Sequence, residues 1–126
     1  MQSGALMDKI IIKGAQFRCN IGVSKEERAK KQNIVVDAEL LLGIKKAAST
    51  DDIKKTINYS EIHSLIKNIA EKKEYKLIET LAENIAKGIL KNSPAKKVFI
   101  RVKKPTALAK KNVRYAAVEI TRTKHG

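Results

Sequence analysis

The chain has one cysteine, Cys19, two histidines, His63 and His125, and no tryptophan. A single thiol can form no internal disulfide and suits a reducing compartment. No pair among Cys19, His63 and His125 has the short spacing of a metal site, so no metal is expected. His63 reads as a surface or packing residue beside an apolar stripe, and His125 lies in the basic tail. Three Tyr and two Phe leave little to stack on nucleic-acid bases. Gly43 and Gly88 stand alone and make no phosphate-cradling loop. No Ser or Cys has a recognisable base beside it. The longest apolar run, 34–42, is broken by Asp37 and Glu39 and is far too short to span a bilayer. Residues 1–6 precede a second methionine, Met7, and read as a processing or cloning remnant, not a signal peptide. These absences leave a soluble, cytoplasmic protein with one domain over 7–126 as the expectation.

Positive charge is abundant. Lys and Arg number 27 against 13 Asp and Glu, a formal net charge of +14. Such a balance attracts polyanions of every kind, from nucleic acid to phosphorylated metabolites. The charge is mostly lysine, spread along the whole chain without an arginine-rich arm. It therefore reads as a lysine-biased surface, with a basic nucleic-acid-binding module as the competing class; such a module would show a steep salt dependence.

The apolar pattern changes period along the chain. Residues 9–12 begin a strand that continues past Gly14 through Phe17 and Cys19, with a bulge at the glycine. Residues 22–32 form a charged connection. Ile34, Val36, Ala38, Leu40 and Leu42 alternate as a half-buried strand. Gly43 marks a bend, and residues 49–52 a loop. Ile62, Leu65, Ile66, Ile69 and Ala70 then recur at helical spacing, with Asn58 and Glu61 placed as a reciprocal cap. Leu77, Ile78, Leu81, Ala82, Ile85, Ala86 and Ile89 predict a second helix, ending near Asn92 because Pro94 cannot continue it. Strands follow at Val98–Val102 and Ala116–Thr121. This ββααββ order predicts an α+β fold, two helices on one face of a four-stranded antiparallel sheet. The outer strands of so small a sheet remain unpaired. Edge-to-edge joining into a closed barrel would remove that liability, so a homo-oligomer is expected.

Four positions could carry chemistry. Lys104 shares parity with Val98, Ile100 and Val102 and so ends an inward-facing row; partial desolvation would make it a candidate base, unless it simply reaches to solvent. Pro105 ends the strand behind it. Glu79 sits at the margin of the second helix's apolar stripe. It could grip a guanidine-like edge through two parallel hydrogen bonds, or lie solvated beside Glu83 or Lys76. Tyr59, at the start of the first helix, could donate a proton or cover the core. Glu26 and Glu27, in the charged connection, read as surface when taken alone.

Five segments in the same order carry more information than any one of them. They are Ile21-Gly22-Val23-Ser24-Lys25-Glu26-Glu27, Asp51-Asp52, Ile57-Asn58-Tyr59-Ser60-Glu61-Ile62, Leu77-Ile78-Glu79-Thr80-Leu81-Ala82-Glu83 and Val102-Lys103-Lys104-Pro105-Thr106-Ala107. Together, over about Met7 to Arg122, they resemble the dihydroneopterin aldolase family.

The resemblance implies the tunnelling fold, assembled into rings whose sheets close into a barrel, as tetramers or stacked octamers. Active sites would lie between subunits, with Glu79 and Lys104 from one and Tyr59 from its neighbour. It implies retro-aldol cleavage of 7,8-dihydroneopterin in folate biosynthesis, with no cofactor, metal or Schiff base. By motif, Lys104, Glu27 and Tyr59 would be catalytic, Glu27 being preferred to Glu26 and Lys104 to Lys103. Glu79, Tyr59 and the backbone around Val23 and Ile78 would hold the pterin. Ser24-Lys25-Glu26 departs from the aromatic that many aldolases carry before the glutamate. It resembles instead the charged loop of a related branch that epimerises the 2′-hydroxyl of dihydroneopterin triphosphate. A catalytically silent pterin- or purine-binding protein of the same fold is a further alternative.

Overall fold

A computed structural model describes residues 7–124. Residues 1–6, read as a remnant, and His125 lie outside them. Four strands, β1 (Asp8–Asn20), β2 (Lys31–Leu42), β3 (Lys97–Lys104) and β4 (Ala116–Thr123), form one antiparallel sheet in the order β1-β2-β3-β4. Helices α3 (Tyr59–Glu71) and α4 (Ile78–Asn92) pack against each other and cover one face of it. The expected ββααββ arrangement is therefore present.

The bulge in β1 decides which side chains reach the core. Ile12 pairs with Ala38 and Ala15 with Val36, so Lys13 and Gly14 together oppose Asp37. One extra residue reverses the alternation: Ile10 and Ile12 face inward before the bulge, Phe17 and Cys19 after it. Gly14 has φ 74°, a conformation glycine adopts without steric cost, and its N–H donates to Asp37 Oδ1 at 2.7 Å. Burial pushes the Cys19 thiol up to about 11, with the nearby Glu71 carboxylate adding to the effect, so this thiol is a packing group and not a nucleophile.

The inward rows of β2 (Ile34, Val36, Ala38, Leu40) and β3 (Val98, Ile100, Val102) are fully buried against Ile62, Ile66 and Ala70 of α3 and Leu81, Ala82, Ile85, Ala86 and Ile89 of α4. His63 lies on the α3 surface with its ring 5.3 Å from that of Phe17, a packing contact. The helix-free face carries ion pairs: Lys9 with Glu39, and Arg101 with both Asp37 and Glu119.

Three details differ from the sequence reading. The charged connection contains a single-turn helix, α1 (Lys25–Arg28), and the stretch before residue 51 is helical as α2 (Lys45–Thr50), followed by a 3-10 turn over Ile53–Lys55. Elements of four to six residues are too short to display a helical period. The Asn58 cap accepts from the Ser60 N–H at 3.0 Å, but the expected return bond from Glu61 does not form. Leu77 is not a core residue of α4: it is the extended N-cap, 46% exposed.

Candidate active site

The sheet register brings two residues 77 positions apart into contact: Lys104 Nζ lies 2.6 Å from Glu27 Oε2. Each arrives there for a local reason. Lys104 ends the inward row of β3, and its side chain is only 15% exposed. Glu27 is placed by α1, whose N-cap Ser24 accepts the Glu27 N–H at 3.1 Å. The expected desolvated lysine is thus present but not alone; it is ion-paired. Glu26, the neighbour one position earlier, is exposed, and Lys103 points to the opposite face, toward Asp37 and over the Tyr115 ring.

Further groups hold the Glu27 carboxylate. Gln32 donates through Nε2 to Glu27 Oε2 at 3.2 Å and to the Ile21 carbonyl at 2.6 Å, while its own Oε1 accepts from Thr106 at 3.4 Å. Gln32 ties β1, α1 and the segment after Pro105 together, a role not foreseen from the sequence. The available signal was its parity with Ile34 and Val36, a polar residue ending an apolar row. The Lys104 hydrogen bond keeps the Glu27 carboxyl below the usual carboxylate range; burial opposes this, and Gln32 and the Val23 backbone assist. Its folded value is depressed, so the stabilisation it contributes is present above the unfolded carboxylate range and is lost as pH falls through the folded value.

Gly22 is sterically committed to this corner. A Cβ there would lie 2.3 Å from the Glu27 side chain. Gly22 also has φ 159°, which an L side chain rarely adopts, so Gly22→Ala must strain the backbone as well as move the Glu27 carboxylate. It should displace Glu27 from Lys104 and lower turnover by at least tenfold; unaltered steady-state kinetics would show that the pair is not needed in this geometry.

The segments that carry the pterin-contact candidates are tied together by backbone bonds. The Gly22 N–H donates to the Tyr75 carbonyl at 3.0 Å and Tyr75 N–H to the Asn20 carbonyl at 3.0 Å, so the end of β1 is strapped to the segment entering α4. That strap sets Val23, 74% exposed, next to the start of α4, where Ile78 is half-buried and Glu79 exposed. Glu79 occupies the first turn of α4, enters no side-chain hydrogen bond or ion pair among the described residues, and is free to accept a ligand. The helix has no side-chain N-cap, which leaves amide donors of its first turn available as well.

Tyr59 is not part of this corner. It opens α3, 67% exposed, at the end of the helix pair where Asn58 and Ile62 face Asn92 and Pro94. The 15 residues of α4, roughly 22 Å of helix, separate that end from Ile78. Within one chain, Glu27 meets Lys104 and the Val23 backbone, Ile78 and Glu79 open α4 behind the Gly22–Tyr75 strap, and Tyr59 stands apart.

Among the described residues no group of three or more His, Cys, Asp or Glu side chains forms a metal-ligand set, and no helix is long and apolar enough to cross a membrane. An ion-paired lysine beside a positioned carboxylate suits proton transfer.

Comparison with known proteins identifies a family. The family model described as dihydroneopterin aldolase matches residues 10–121. Dihydroneopterin aldolase of Bacillus subtilis is 40% identical over 119 residues, covering 94% of this chain and 99% of that protein. Dihydroneopterin aldolase 1 of Arabidopsis thaliana is 38% identical over 122 residues, covering 95% of this chain and 84% of its own length. The crystal structure of the Escherichia coli dihydroneopterin aldolase in complex with neopterin superposes with a TM-score of 0.87 at 29% identity, covering 91% of this chain and 98% of that one.

Proposed function

The chain belongs to the dihydroneopterin aldolase family and is a carbon–carbon lyase of folate biosynthesis, and we propose that its reaction runs at the Glu27–Lys104 corner. The observation that carries this is the 2.6 Å contact between Lys104 and Glu27.

In 7,8-dihydroneopterin C1′ is attached to the carbon of the C6=N5 imine, which serves as the electron sink. A base removes the 2′-hydroxyl proton, the O–H electrons become the carbonyl of glycolaldehyde, and the C1′–C2′ bond breaks. Its electron pair passes through C1′ and C6 to N5, which takes up a proton. The resulting enol-type intermediate is protonated at C1′ and gives up its N5 proton, which restores the C6=N5 imine in 6-hydroxymethyl-7,8-dihydropterin. Because the substrate carries its own sink, neither a lysine imine nor a metal is required. Lys104, with Glu27 as its proton partner, would organise the proton transfers near N5 and the side-chain hydroxyls. Glu79 would accept from the pterin's 2-amino and ring N–H groups, and backbone groups around Val23 and Ile78 would hold the ring. Tyr59 would reach a neighbouring copy's corner and shuttle a proton there. Its place at the far end of the helix pair, the outer edges of β1 and β4 left unpaired among the described residues, and the exposure of Val23, Leu77 and Tyr59 support a ring-shaped homo-oligomer.

A second reading, 2′-epimerisation of a phosphorylated substrate, is favoured by one observation. No Asp or Glu occurs between Glu83 and Glu119, while Lys110, Lys111 and Arg114 occupy the turn after Lys104. The test is incubation with 7,8-dihydroneopterin and chelator, followed by separation of the pterins. Appearance of 6-hydroxymethyl-7,8-dihydropterin with glycolaldehyde is the expected result. Formation of the 2′-epimer alone would favour the second reading, and no conversion by the folded protein would leave binding without turnover.

A further inference from the structure

We propose that Arg28 is a positioning residue for this reaction, holding the Gly22–Val23 peptide so that its N–H faces the Glu27 carboxylate. The inference rests on the reading of Glu27 as the proton partner of Lys104. Arg28 ends α1, and its side chain is only 14% exposed. Its Nη1 donates to the Gly22 carbonyl at 3.0 Å and to the Val23 carbonyl at 2.8 Å, while its Nε pairs with Glu74 at 3.2 Å. One guanidinium thus spans the turn at the end of β1 and the segment leading into α4, which a planar fork of donors can do and a single ammonium cannot.

The consequence follows from peptide geometry. The Gly22 carbonyl and the Val23 N–H belong to one planar trans unit and point in opposite directions. With the carbonyl drawn to Arg28, the amide is directed away from it, where Glu27 lies; the Val23 backbone is one of the donors that lower the Glu27 pKa. The other groups facing that carboxylate are Lys104 from β3 and Gln32 from β2, both on separate elements that Arg28 does not touch. The same peptide precedes the exposed Val23 that is expected to contact the pterin. Arg28 would therefore act on the acid limb of catalysis and on ligand affinity together, without touching substrate.

The measurements are the pH dependence of kcat/KM and a titration of the Glu27 carboxyl by 13C NMR in protein labelled at Glu, for Arg28→Ala, Arg28→Lys and Glu74→Gln. In Arg28→Ala the Glu27 titration and the acid limb should both move upward by roughly half to one pH unit, the size of a lost amide hydrogen bond to a carboxylate. KM should rise several-fold. Arg28→Lys should fall between, since it keeps the charge but not both carbonyl bonds. Glu74→Gln should leave the Glu27 titration in place, because the carbonyl bonds remain. A Glu27 titration unchanged in a folded Arg28→Ala protein would overturn the proposal, whatever its effect on melting temperature. The NMR titration needs no turnover, so its outcome is separable from that of the aldolase reading: a moved Glu27 titration in a protein without aldolase activity would retain Arg28 as the peptide's anchor and reject the reaction.

Discussion

Lys104→Ala is expected to bind pterin within a few-fold of the unaltered protein while turnover falls by about 10²- to 10⁴-fold, the range for a lost general acid–base group. The split follows from where the side chain ends. Lys104 Nζ is 2.6 Å from Glu27 and belongs to the last inward position of β3, whereas the pterin's hydrogen-bonding edge is assigned to Glu79 on α4. Removing the ammonium takes away the group proposed to move protons near N5 but none of the groups proposed to anchor the ring. It also removes the main cause of Glu27's depressed pKa, so the Glu27 carboxyl should return toward the ordinary carboxylate range in the variant. Lys104→Met supplies a control of similar length without charge, which separates lost chemistry from a cavity at the strand end. Equilibrium binding of neopterin, together with single-turnover chemistry, checks both halves. Turnover within tenfold of normal in either variant would remove Lys104 from the mechanism. A large loss of neopterin affinity would make it a binding group instead.

The strands and long helices were legible because their apolar periods, two and 3.6, run over eight or more residues. The β1 bulge could be placed at Gly14 for the same reason: Ile10 and Ile12 share one parity, Phe17 and Cys19 the other, and only an inserted residue reconciles them. What periodicity could not show was contact across the sheet. Glu27 reads as a surface residue in its own segment. Its partner Lys104 is reached only through the β1-β2-β3 register, and resemblance, not pattern, paired them. Gln32 and Arg28 are further cases. Their importance lies in backbone carbonyls they bind, Ile21 for one and Gly22 and Val23 for the other, and no side-chain pattern records a carbonyl's needs. Leu77 was misplaced because a leucine four positions before Leu81 satisfies helical spacing whether it lies inside the helix or caps it.

Glu79→Gln should weaken pterin binding by roughly 30- to 1,000-fold, equivalent to about 2–4 kcal/mol. A carboxylate offers two acceptors to the two parallel donors of the pterin edge. A glutamine amide offers one acceptor and one NH2, and that NH2 meets a ligand N–H donor to donor. The loss therefore combines one missing charge-assisted bond with one donor on each side left without a partner. Few residues allow so clean a test. Glu79 is exposed, sits in the first turn of α4 and enters no side-chain bond among the described residues, so the substitution removes no described contact beyond a small helix-dipole contribution. The melting temperature should consequently stay within a few degrees while affinity collapses. Glu79→Asp keeps both acceptors on a shorter arm and should lose less affinity than Gln, although it changes reach more. Fluorescence or calorimetric titration with neopterin gives the comparison directly. If Gln binds as tightly as Glu, the pterin edge is held elsewhere, and the first-turn amides of α4 would be the groups left to hold it. If Gln and Asp lose affinity equally with an unchanged melting temperature, reach as well as charge sets recognition. The anchor would then depend on how the Ile21–Tyr75 strap positions α4.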